Sequence, residues 1–81
     1  MRTGDAILTR RVKSEFIRRE LDTSRLEVKV IHGVAYLGGE LKASRHRKVL
    51  DVKKEMATME TIIMGLREIR GIDNRIKWVE L

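Results

Sequence analysis

Residues 26–41, LEVKVIHGVAYLGGEL, constrain the fold more than any other part of the chain. Leu26, Val28 and Val30 alternate with Glu27 and Lys29, and Ala35, Leu37 and Leu41 fall on the odd positions of a return arm. That is the period of a strand pair with one buried face. Between the arms stands His32-Gly33. A two-residue type I′ turn requires positive φ at both central positions, which Gly adopts freely and His at modest cost. The pair therefore predicts a β-hairpin whose register the turn fixes.

The flanks supply helices and one more strand. Asp5 reads as an N-cap, and Leu8, Val12 and Phe16 then repeat every four residues, with Ile17 and Leu21 continuing the apolar face as it drifts. This predicts a helix over 5–21, ended by the turn formers Asp22, Thr23 and Ser24. Gly38-Gly39 near the end of the second hairpin arm signals a bulge or a close backbone approach. Ser44 offers a second N-cap, after which Val49, Val52, Met56, Met59, Ile63 and Leu66 keep spacings of three and four. The simplest expectation is one long helix over 44–69 with Gly71 at C′; a break near Ala57-Thr58, giving two shorter helices, is the alternative. Ile72, Ile76 and Trp78 alternate on one side of a third strand. Together these elements predict an α+β fold: a single αββαβ domain over 1–81, with its core within 5–79 and a three-stranded mixed sheet carrying both helices on one face.

With 81 residues the chain buries only ~60% of the surface its unfolded form exposes, so the core is small. The absence of Cys excludes disulfides and thiolate metal sites. No run of about 18 uncharged apolar residues is present to span a bilayer. The N-terminal residues carry charges every few positions where a secretory signal requires an apolar stretch, which reads as a cytoplasmic protein able to associate peripherally with a membrane.

The hairpin VKVIHGVAYLGGEL and the closing GIDNRI, in that order of elements, resemble the BON domain, a small αββαβ module of bacterial osmotic-stress proteins, secretins and some channel and haemolysin-like proteins. Val28, Val30, His32-Gly33, Ala35, Leu37, Gly39 and Leu41 take the hairpin positions of that pattern, and Ile72, Asn74, Ile76 and Trp78 those of its last strand. The second helical region is longer than the family's, and Glu68-Ile69 replaces the Gly-Val that commonly precedes the last strand. The resemblance implies a non-catalytic module that attaches to phospholipid membranes or to envelope and protein partners.

Charge carries the other chemical signal. The net +6 is concentrated: Lys42, Arg45, Arg47, Lys48, Lys53 and Lys54 face a single acid, Asp51, giving +5 in thirteen residues. At a helix N-terminus such a cluster opposes the macrodipole, at roughly 0.3–1 kcal/mol per nearby cation. Phosphate would offset that cost, bound by exposed helical N–H groups over 44–47 together with the Arg and Lys side chains. The six cations are thus candidate residues for anion or lipid binding, and a solvated helix face is the plain alternative. Arg10, Arg11, Lys13, Arg18 and Arg19 extend the patch if the first helix lies beside it. A pI near 10.2 also fits a small nucleic-acid-binding protein, although the aromatic-poor sheet argues against base stacking.

Met56, Met59, Ile62 and Ile63 make the second helix apolar beyond one face, which predicts a homo-oligomer or protein-protein interface there. Tyr36 falls on the polar sheet face; Trp78 reads as core cover, with an interfacial anchor as the alternative. His32 and His46 lack a second ligand at metal spacing, and Gly38-Gly39 lacks the Lys-Ser or Lys-Thr of a phosphate loop, so neither a metal nor a cofactor is expected. No Ser or Thr stands in a recognisable nucleophilic constellation, so the expectation is a non-enzyme.

Overall fold

A computed structural model describes residues 3–44 and 48–79. The chain runs α1 (Thr3–Arg18), β1 (Leu21–Asp22), β2 (Leu26–Ile31), β3 (Val34–Ala43), α2 (Val52–Met64), β4 (Gly71–Asn74) and β5 (Lys77–Trp78). The α+β class is as expected, with two helices, but the sheet has five strand segments among the described residues rather than three.

The hairpin forms where the alternation places it. Ile31 pairs with Val34 across His32 (φ 50) and Gly33 (φ 81), and the antiparallel register runs back to Leu26 opposite Gly39. β3 then continues to Ala43, because β1 returns to pair antiparallel with its far end, Leu21 opposite Ala43 and Asp22 opposite Lys42. Leu21 and Leu26 are five residues apart, so an uninterrupted strand would turn them to opposite faces. Residues 23–25 oppose only Glu40 and Leu41, and this one extra residue is a bulge that brings both leucines to the core. Gly39 (φ 80) makes the bulge possible: a Cβ there would collide with the Arg25 carbonyl, which accepts the Glu40 N–H at 3.0 Å.

The other edge of β3 is parallel. β4 pairs along residues 34–37 and β5 along 40–41 in the same register, interrupted opposite Gly38-Gly39. At the interruption the Asn74 side chain accepts the Ile76 N–H at 2.9 Å, and Arg75 N–H still reaches the Leu37 carbonyl at 2.8 Å. The single third strand of the sequence reading is thereby divided in two.

One sheet face carries the core. Leu26 and Val30 of β2 and Ala35, Leu37 and Leu41 of β3 meet Leu8, Val12 and Phe16 of α1 and Met59 and Ile63 of α2, with Ile72, Ile76 and Trp78 packed at the margin. Glu27, Lys29, Ile31 and Tyr36 alternate onto the opposite, exposed face.

Several helix boundaries depart from expectation. α1 ends at Arg18, since Glu20 adopts φ 59 and Leu21 is already in β1; Asp5 lies inside the first turn, where it accepts the His32 N–H at 3.4 Å rather than capping the helix. Ile17 is 57% exposed, because it stands about 100° round the helix from Phe16, off the buried 8, 12, 16 stripe. α2 starts at Val52, not at Ser44: Asp51 is the N-cap, its side chain accepting the Lys54 N–H at 3.0 Å. The Ser44 N–H instead bonds the Glu20 carbonyl at 3.1 Å, in line with the β1–β3 pairing. The helix stops at Gly65, and Gly71 opens β4 rather than closing α2. Residues 52–64 form one helix, without a break at Ala57-Thr58.

Candidate functional site

The six cations picked out along 42–54 do not share one setting. Lys42 sits near the end of β3, half-buried, with its Nζ 3.6 Å from Asp22 Oδ2, the residue directly opposite in β1. It serves a cross-strand pair. Arg45 and Arg47, like His46, lie outside the described residues. Lys48 is exposed ahead of α2, and Lys53 and Lys54 are exposed in its first turn. The anion site expected from helical N–H groups over 44–47 falls mostly outside the described residues, and the helix that is described there, α2, begins at Val52. Its N-terminal positive end already faces the Asp51 carboxylate, which satisfies the dipole.

The exposed lysines surround a residue the sequence reading passed over. Val49 turns inward against the core, and Leu50 turns out with 86% of its surface exposed, more than any other large apolar side chain described. Leu50 stands off the 49, 52, 56, 59 stripe of three- and four-residue spacings, and that was the available signal. Lys48, Leu50, Lys53 and Lys54 thus combine an accessible isobutyl group with three exposed ammonium groups.

This segment is anchored from behind. Arg19, just past α1, donates from Nε to Glu55 Oε2 at 2.6 Å and from a terminal nitrogen to Glu55 Oε1 at 3.0 Å. Glu55 is only 6% exposed, so a bidentate bond holds the end of α1 to the first buried turn of α2. The hydrogen bonds to Glu55 raise the Arg19 pKa, with its charge reinforcing them. Arg19 therefore serves as a brace. Nearby, the Ser24 hydroxyl and backbone N–H hold the Asp22 carboxyl below its ordinary range, with Lys42 adding to the shift.

The apolar residues assigned to an oligomer interface are mostly spent within the chain. Met59 and Ile63 are fully buried in the core, which removes them from any contact with a second molecule. Met56 and Ile62 are half-buried against that core; Met64 is the exposed one, at 47%. More of α2 is covered than expected, because α1 packs against it and β4, which carries Ile72, lies along another side.

Among the described residues no three His, Asp or Glu side chains converge as metal ligands, and no helix is long and apolar enough to cross a membrane. No family model, curated protein or solved structure matches the chain.

Proposed function

We propose that this protein is a non-catalytic interaction module of the BON type that docks on anionic phospholipid surfaces through residues 48–54. The observation that carries the reading is Leu50, 86% exposed and flanked by Lys48, Lys53 and Lys54. An apolar side chain amid cations suits the boundary between headgroups and acyl chains, where the hydrocarbon enters and the ammonium groups stay with the phosphates. Burying the leucine is worth about 1.5–3 kcal/mol, and each lysine at an anionic surface contributes about 1 kcal/mol. The sum supports reversible, salt-sensitive adhesion rather than permanent anchoring. Because Arg19 and Glu55 brace the first turn of α2, Lys53 and Lys54 are presented from a fixed support.

Co-sedimentation with phosphatidylcholine vesicles, with and without phosphatidylserine, tests this. The protein is expected to pellet with the anionic vesicles only, and Leu50→Ser is expected to weaken partitioning about tenfold, equivalent to the lower end of that burial term. Equal binding to neutral vesicles, or indifference to Leu50→Ser, would refute it. A mobility shift of duplex or single-stranded oligonucleotide without vesicle binding would replace it with the nucleic-acid reading.

A further inference from the structure

A second surface, distinct from the lysine-flanked leucine, lies along the outer edge of β2. A two-residue hairpin turn makes Ile31 and Val34 a hydrogen-bonded pair, so Ile31, Lys29 and Glu27 direct their backbone groups to β3. Leu26, Val28 and Val30 therefore direct theirs outward. Two of those outward N–H groups are used within the chain: Leu26 donates to the Thr23 carbonyl at 3.1 Å, and Val30 to Thr9 Oγ1 at 3.0 Å. Among the described residues neither the N–H nor the carbonyl of Val28 has a partner. The strand is accessible at that point, where a cleft of about 890 Å³ runs past Thr9 and Lys13 of α1 and residues 26–29.

Either side of Val28 stand Glu27 and Lys29, one charge of each sign, both exposed on the open face and, among the described residues, neither in an ion pair. The order L-E-V-K-V is self-complementary about its centre. We propose that β2 pairs antiparallel with β2 of a second copy of this chain, about a two-fold axis at Val28. In that register the two Val28 residues exchange both main-chain hydrogen bonds. Glu27 of each copy then stands opposite Lys29 of the other in a close, non-hydrogen-bonded pair, and symmetry supplies that attraction twice. The pairing is confined to residues 27–29, because Leu26 and Val30 are buried within their own chain and their N–H groups are taken by Thr23 and Thr9. The contact is small, and Arg10 and Lys13 bring like charges of the two α1 helices toward one another, so the dimer is of the weak, concentration-dependent kind.

Sedimentation equilibrium at physiological salt, over a concentration series reaching the millimolar range, tests the pairing. The chain is expected to shift from monomer to dimer. Glu27→Lys and Lys29→Glu each turn two attractions into two repulsions and are expected to weaken association about tenfold or more. The double variant E27K/K29E restores both pairs and is expected to return to within about threefold of the original. Circular dichroism of each variant verifies the fold, and the rescue separates charge matching from damage. A double variant that associates no better than the single ones, or a chain monomeric throughout, overturns the proposal. So does association abolished by Met56→Ala and untouched by the charge reversals.

Discussion

Adjacent glycines at 38 and 39 offer a sharp test of the bulge that divides the sheet. In Gly39→Ala the backbone stays at φ 80, which costs an L-residue roughly 1–2 kcal/mol. The new methyl also meets the Arg25 carbonyl and comes within 3.2 Å of the Glu27 nitrogen, so the bulge must open. Opening releases the 3.0 Å bond from Glu40 N–H to Arg25, worth about 0.5–1.5 kcal/mol. The total is about 1.5–3.5 kcal/mol, against roughly 4–12 kcal/mol for a whole domain of 81 residues. Gly38→Ala is different in kind: its φ is ordinary, and the nearest atom to the new methyl is Glu27 Oε2 at 3.7 Å. Reduced freedom of the unfolded chain then makes that substitution neutral or slightly favourable, within about 1 kcal/mol. Urea unfolding followed by the fluorescence of Trp78, the single tryptophan and half-buried, measures both. At about 4–8 °C per kcal/mol, Gly39→Ala is also expected to lower Tm by about 6 °C or more. Equal costs at the two positions would refute the close approach as the reason for glycine.

Met59→Ala is expected to destabilise the protein by about 2–5 kcal/mol, and by the same amount at low and high protein concentration, because the side chain is buried within one chain. Denaturation at two concentrations checks it. Asp22 contributes stability that is present above the ordinary carboxylate pKa and lost as pH falls through its lowered folded value. Asp22→Asn is therefore expected to flatten the acid limb of a stability-against-pH curve while leaving its slope above neutrality unchanged.

The readable parts of the sequence are those decided locally. His32-Gly33 and the alternation on either side fix the hairpin without help from elsewhere, and Leu8, Val12 and Phe16 mark the buried stripe of α1 by spacing alone. The start of α2 is not decided locally, because Ser44 and Asp51 are both competent caps ahead of the same apolar spacing. The choice is made by β1, which draws residues 42–43 into the sheet and holds Ser44 through Glu20, a contact that no window of neighbouring residues contains. The division of the last strand likewise answers a bulge on a distant segment. Of the candidate site, Lys48, Lys53 and Lys54 were legible as charge; Leu50 was not, because an apolar residue outside a helical stripe has no assigned place until the helix boundary is known.

Among the described residues every pairing in this sheet passes through β3, which has β1 and β2 along one side and β4 and β5 along the other. Such a hub removes the usual option of shedding one hairpin while the remainder stays intact. Peripheral amides can exchange with solvent segment by segment, whereas those of the hub open only when the entire ribbon comes apart, so their protection reports the global unfolding equilibrium.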